Sequence, residues 1–218
     1  MSLWVHGAWA QGAGATAGAG IANTSHDPRI WNFGGEPQIC VMCHTPHNAK
    51  AGVSYLWNHE LSAVPTYTTY GSPTMTGTVG QPGQVSKLCL SCHDGTVAIL
   101  AYGGTTTGMT MIDASGVNAR TVIGSNLSDD HPVGMTYDAA LVAADTPARL
   151  HAVTDSVTVG SVKTKTGSIA NLLLPGGKLE CNSCHDVHNK FTVATPSGTG
   201  LVRVSMTNSA LCTTCHIK

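Results

Sequence analysis

Eight cysteines fall into four copies of one pentapeptide: Cys40-Val-Met-Cys43-His44, Cys89-Leu-Ser-Cys92-His93, Cys181-Asn-Ser-Cys184-His185 and Cys212-Thr-Thr-Cys215-His216. C-x-x-C-H is the attachment signature of c-type haem. Two thiols three residues apart add across the two vinyl groups of one porphyrin, and the histidine that follows is held under the iron as its proximal ligand. A single turn of chain thereby reaches both vinyls and the metal. Paired C-x-x-C units also build four-cysteine zinc sites, but zinc does not ask for a histidine after each second cysteine. With His at roughly 5% of residues, four such histidines arise by chance on the order of once in 100,000. A disulfide framework does not require equal spacing within every pair, and no βαβ context for a thioredoxin-like pair is visible. The motifs read as four covalent c-type haems.

Iron coordination sets a count that the rest of the chain must meet. Four irons with two histidines each need four ligands beyond His44, His93, His185 and His216. Seven other histidines exist: His6, His26, His47, His59, His131, His151 and His188. Every iron can therefore be six-coordinate, which closes it to substrate and suits electron transfer. His47 and His188 each lie three residues past a proximal histidine, so both members of each pair project from roughly one side of a turn. They cannot easily reach opposite faces of one iron, and the second His of each pair serves a different, closely stacked haem. His131, in Asp129-Asp130-His131-Pro132, is held extended by the proline and has an acid at hand to orient its ring. His26, in Ser25-His26-Asp27-Pro28, is a further distal candidate and His59 a reserve ligand. His151 reads as structural or exposed, and His6 lies at the chain start. Met75, Met109 and Met111 are alternative iron ligands that the spare histidines make unnecessary. Trp4, Trp9, Trp31 and Trp57 suit packing against porphyrin edges or protein core alike.

The composition fits a chain that packs around something other than protein. Of 218 residues 42% are hydrophobic, but only two are Phe, 25 are Gly and 11% are charged. Four large apolar porphyrins replace side-chain core. The expected fold is mostly irregular coil with short helices and a few short strands, a multihaem cytochrome c wrapped around a stacked row of four haems. Eleven Lys and Arg against twelve Asp and Glu offer no basic excess for a nucleic-acid partner. No apolar run approaches the roughly 18 residues of a membrane span.

The elements that must position the motifs are short. Residues 1–23 read as a flexible Gly/Ala-rich arm preceding a tetrahaem domain over 24–218. Within the arm, Ala8-Trp9-Ala10 fits the end of a signal-peptide leader. Ser86-Lys-Leu-Cys-Leu reads as a short capped helix delivering the second motif, and Thr207-Asn-Ser-Ala-Leu-Cys as another leading into the fourth. The 44 residues between the first and second motifs read as loop. In the long interval between the second and third motifs, 120–123 and 152–163 alternate like strands. Ala139–Ala144 reads as one or two helical turns, and Leu172-Leu-Leu as a buried strand ending at Pro175-Gly-Gly.

Beyond the haem motifs, several phrases resemble the OmcE-type tetrahaem cytochromes of metal-reducing bacteria and their archaeal relatives, which polymerise into extracellular nanowires. These are Thr24-Ser-His-Asp27, Ile39 to Ala49, Leu56-Trp-Asn-His59, Lys87 to Ala98, Asp130-His-Pro-Val133, Gly177 to Asn189 and Leu211 to Lys218. The resemblance implies bis-histidine haems stacked in a continuous chain. It implies that an N-terminal histidine, here His26, ligates a haem of the neighbouring subunit, with His47, His131 and His188 at the other distal positions. The expected function is an exported, non-enzymatic electron-transfer protein at the cell surface or outside the cell. It would be a head-to-tail homopolymer passing electrons to redox partners or extracellular acceptors. A monomeric periplasmic shuttle and a multihaem oxyanion reductase are the alternatives.

Overall fold

The computed structural model describes residues 15–30, 37–108, 121–194 and 201–218. His6, Trp4, Trp9, Trp31, Met109, Met111, Arg120 and Ala8-Trp9-Ala10 lie outside them. Coil dominates, as the composition implies. Among the described residues the longest helix is α1, Gln84–His93, at ten residues; α2 (Ala139–Ala144), α3 (Ile169–Leu173), α4 (Cys181–Cys184) and α5 (Ala210–Thr213) make one or two turns each. Six strands among the described residues form three separate two-stranded ribbons. β1 (Thr68–Thr69) runs parallel to β2 (Asn126–Leu127), β3 (Met135–Thr136) antiparallel to β6 (Lys178–Leu179), and β4 (Ser156–Val159) antiparallel to β5 (Lys165–Ser168). Among the described residues no helix is long and apolar enough to cross a membrane.

The interval between the second and third motifs builds the largest protein core. Tyr137, Val157, Val159, Ile169 and Leu172 to Leu174 pack together there. β4 alternates exposed and buried along Ser156–Val159, the period-two pattern of a half-buried strand. It occupies only part of the expected 152–163 run, because Gly160 turns the chain (φ +82°) into β5. Thr121–Ile123 form no strand; their ladder groups go instead to the second motif, where Ile123 N–H donates to the His93 carbonyl at 2.7 Å.

Leu172 to Leu174 are buried as expected, but Leu172 and Leu173 lie in a helix rather than a strand. Ser168 accepts from Asn171 N–H at the N-terminus of α3, and one turn then places Ile169, Leu172 and Leu173 at i, i+3 and i+4 on one face. Pro175 follows, and the helix stops. α2 lies at its expected position, capped by Asp138, which accepts from Leu141 N–H at 2.8 Å. The segment 207–213 is helical as expected, though split into a 3-10 turn, Thr207–Ser209, and α5 by left-handed Asn208 and Ser209.

The described part of the Gly/Ala arm is docked onto the domain. Asn189, buried, donates from Nδ2 to the carbonyls of Thr16 and Gly20, both at 2.9 Å. Small residues let the arm's backbone come this close, and Ala17 is buried in the contact region.

Candidate haem sites

The four motifs repeat one local geometry. In three of them the histidine N–H donates to the first cysteine carbonyl: His44 to Cys40 at 2.8 Å, His185 to Cys181 at 3.1 Å and His216 to Cys212 at 2.9 Å. The second motif forms the end of α1. Each turn places two thiols and an imidazole on one short stretch, the reach a single porphyrin needs. No disulfide joins any of the eight cysteines.

The same three motifs are also braced alike by a passing segment. Opposite His44, His185 and His216 lie Trp57, Val202 and Leu150, each in an isolated antiparallel bridge. The residue after each motif donates to that segment: Thr45 to Leu56, Asp186 to Leu201, Ile217 to Arg149. The segment donates back to the second cysteine carbonyl, from Asn58 to Cys43, Arg203 to Cys184 and His151 to Cys215. Two hydrogen bonds per motif thus fix the backbone on either side of the motif histidine. Each bracing segment is three residues long (56–58, 149–151 and 201–203) with no distinctive composition, and sequence reasoning missed them.

Second partners orient two of the imidazoles. His44 Nδ1 donates to the Tyr55 carbonyl and His93 Nδ1 to the Thr121 carbonyl, both at 2.7 Å. A proton fixed on Nδ1 leaves the Nε2 lone pair for a metal, the usual arrangement of a ligating histidine. Tyr55 and Leu56 are both left-handed, at φ +68° and +53°. That conformation is costly for non-glycine residues. Here the turn delivers the Tyr55 carbonyl to His44 and the Leu56 carbonyl to Thr45.

Three of the four motif histidines face a second histidine from elsewhere in the chain. His44 and His188 have ring centroids 6.2 Å apart with planes inclined by 17°. His93 and His26 lie 5.9 Å apart, and His216 and His131 6.4 Å apart. Two metal–nitrogen bonds of about 2.0 Å, plus the radius of each ring, separate the centroids of a bis-imidazole iron by about 6 Å. All three spacings match that value.

The remaining predicted residues are distributed as follows. His185 is exposed at the end of α4, and its chain neighbour three residues on, His188, lies against the His44 ring. His47 is exposed, its backbone N–H bonded to Thr45 Oγ1; among the described residues no second ring meets it. His59 does not join any pair. Its Nδ1 lies 2.8 Å from the Glu60 carbonyl and its Nε2 3.0 Å from the Ile99 carbonyl, so neither nitrogen is turned toward an iron. His151 is half-buried with Nδ1 3.1 Å from Asp155. Among the described residues no three His, Cys, Asp or Glu side chains converge on a point; a haem iron, with four porphyrin nitrogens, asks the protein only for pairs.

His26 is placed by a knot of short-range bonds. Its N–H donates to Thr24 Oγ1, and Thr24 Oγ1 donates to the Ile21 carbonyl. Asp27, fully buried, accepts from Asn23 N–H and Arg29 N–H, and two guanidinium nitrogens of Arg29 grip it at 2.7 and 2.8 Å. Arg29 holds the Asp27 carboxyl down at about 2. Burial pushes the His26 imidazole down to about 3, with His93, His185 and His188 adding to the effect, so the ring is neutral and able to ligate. Its Nδ1 is sealed from solvent with no protein partner.

No protein-family model and no curated protein matches this chain. The site therefore rests on its own geometry. The second and third motifs are clamped together: Glu180, which precedes Cys181, accepts from Ser86 Oγ and from Gly83 N–H. Ser86 is thus not the helix cap that its position suggested. Gly83 is the N-cap, and Ser86 is turned inward as the bridge, donating to Glu180 while accepting from Cys181 N–H at 3.0 Å.

Proposed function

We propose that the chain is a tetrahaem c-type cytochrome that transfers electrons through bis-histidine irons and performs no bond chemistry of its own. The observation that carries this reading is the pairing of three C-x-x-C-H histidines with three non-motif histidines at 5.9 to 6.4 Å. Cys40 and Cys43, Cys89 and Cys92, Cys181 and Cys184, and Cys212 and Cys215 form the thioethers. His44 with His188, His93 with His26, and His216 with His131 supply the axial ligands of three irons. The fourth iron, on His185, takes His47. That choice makes the first and third motifs exchange distal ligands, His44 with His188 and His185 with His47, and brings two haems into one stack. When bound, the haems supply one-electron chemistry; the chain orients the imidazoles, covers the porphyrin faces and keeps His26 neutral.

The finer reading is a subunit of an extracellular filament. Its support is the ordered resemblance of the flanking phrases to polymerising tetrahaem cytochromes. His26 is the ligand to be donated forward, forming between subunits the pair that it makes with His93 in one chain. A heterologous contact that does not close generates a filament. The in-chain position of His26 favours a second reading, a monomeric periplasmic shuttle with all ligands internal. Pyridine haemochrome assay and intact mass of the exported protein test the first level, with four haems per chain expected; none would reject it. Electron microscopy of the haem-loaded protein tests the second, since filaments establish the polymer and discrete particles establish the shuttle.

A further inference from the structure

We propose that Arg203 is a cofactor-binding residue whose guanidinium holds a haem propionate. The inference rests on the haem reading above and deepens it, because it concerns the anionic end of the porphyrin rather than its iron.

Three arginines lie among the described residues. Arg29 is chelated by Asp27 and Arg149 by Asp145, each at 2.7 Å. Among the described residues Arg203 forms no such ion pair. Its Nη1 donates to the Asn182 carbonyl at 3.0 Å, a neutral acceptor, while its Nε is shut off from solvent with no hydrogen-bond partner. The nearby carboxylate, Asp186, is spent on the backbone N–H groups of His188, Lys190 and Phe191. Burial accordingly pulls the Arg203 guanidinium down from its ordinary value. A partly buried guanidinium whose Nε is sealed from solvent is best offset by an anion, and its planar fork suits a carboxylate.

The place fits the cofactor. Arg203 N–H donates to the carbonyl of Cys184, and the adjoining Val202 bridges His185, so the side chain springs from the brace of the third motif. Asn182, within the same motif, has its Oδ1 sealed off without a partner. Amide oxygen and nitrogen are assigned from the hydrogen-bond network, and with the amide turned over Asn182 supplies a second donor beside Arg203. The thioether edge of a haem is opposite its propionates, so the propionate held here belongs to a haem neighbouring the one on Cys181 and Cys184. Arg203 then ties two haems together.

The test uses the haem-loaded full chain with Arg203→Gln and Arg203→Lys. Haem content is measured first, then the four midpoint potentials by spectroelectrochemistry and the propionate bending bands by resonance Raman. Arg203→Gln should keep four haems, lower one of the four potentials and shift one propionate band, because a bare propionate favours the ferric iron. Arg203→Lys keeps the charge and should leave that potential closer to the wild-type one. Four unchanged potentials with unchanged bands in Arg203→Gln would overturn the assignment and leave the haem reading standing. A chain without haem would overturn both. Should Arg203→Gln fail to fold, a density map of the wild-type protein decides: a carboxylate within hydrogen-bond distance of Nε supports the proposal, and its absence there ends it.

Discussion

Glu180 and Gly83 meet across 97 positions of sequence, the Gly83 N–H lying 3.1 Å from both carboxylate oxygens of Glu180. Gly83 opens α1, which carries the second haem motif, and Glu180 immediately precedes the third. A carboxylate at a helix N-terminus is favoured by the unpaired N–H groups and the helix dipole. Gly83 has no side chain for a reason of space: an added Cβ would fall 2.2 Å from Glu180 Oε1. Glu180→Gln replaces one accepting oxygen with a donor and should destabilise the haem-loaded protein by about 1–3 kcal/mol. Ser86→Ala should act in the same direction. Thermal unfolding of the two single variants and the double variant checks this, with less-than-additive losses expected for groups in one network.

The paired histidines make a separable spectroscopic prediction. Removing a distal ligand while leaving both thioethers opens one iron and leaves the haem attached. His131→Ala and His188→Ala should each retain four haems, convert one of them to high spin and allow carbon monoxide to bind after reduction. His59→Ala should do neither, because both of its nitrogens face backbone carbonyls. A high-spin haem in His59→Ala, with a low-spin spectrum in His131→Ala, would reverse the ligand assignment.

The motifs and the coil were legible in the sequence because both are local. Cys-x-x-Cys-His needs only a turn, and a chain with two Phe and 25 Gly cannot build a large protein core. The i, i+3 argument for His188 agrees with its approach to His44 rather than to its own neighbour His185. What was not legible is long-range. The bracing of His44 by Trp57, of His185 by Val202 and of His216 by Leu150 depends on backbone hydrogen bonds, which carry no side-chain signature. The Leu172–Leu174 run misled because a short buried helix and a short buried strand share one composition. Ser86 misled because its hydroxyl found a partner 94 residues away rather than the helix end beside it.

The uneven distribution of protein core predicts an uneven response to haem loss. Among the described residues the core cluster at the first motif is Met42 and Ile99, with Trp57 buried beside His44, whereas the Tyr137–Leu174 region packs seven buried residues together. Replacing both Cys40 and Cys43 by alanine should prevent attachment of the first haem. Hydrogen exchange on that full-length variant should then show protection lost over 37–62, with Val157, Val159 and Leu172 to Leu174 still protected. Uniform protection across both regions would mean that the first porphyrin is not part of the core.

Asp27 gives the His26 loop an acid limit. Its carboxyl is held at about 2, chiefly by hydrogen bonds from Arg29, against about 3.9 in an unfolded chain. The depressed value means that its stabilisation is complete above about pH 4 and drains away as pH falls toward 2. One haem should therefore turn high-spin in that window before the others. Asp27→Asn should show the same species at neutral pH, and Arg29→Ala should move its onset to higher pH. Optical and electron paramagnetic resonance titrations read both shifts.

His26 separates the filament from the shuttle. In either reading His26→Ala leaves eight cysteines intact, so four haems should remain and one iron per chain should open. The readings part at assembly. If His26 is donated forward, each missing imidazole breaks a subunit junction, and micrographs of His26→Ala should contain single subunits where the wild type shows filaments. If His26 stays with His93 of its own chain, the variant should gain an open iron with no change in particle size. Normal filaments from His26→Ala would exclude the donated ligand and leave the junction to other contacts. Added imidazole extends the test: it should restore the low-spin spectrum in both cases, because it can occupy the open iron, but it should not restore filaments, because a free ligand cannot link two chains.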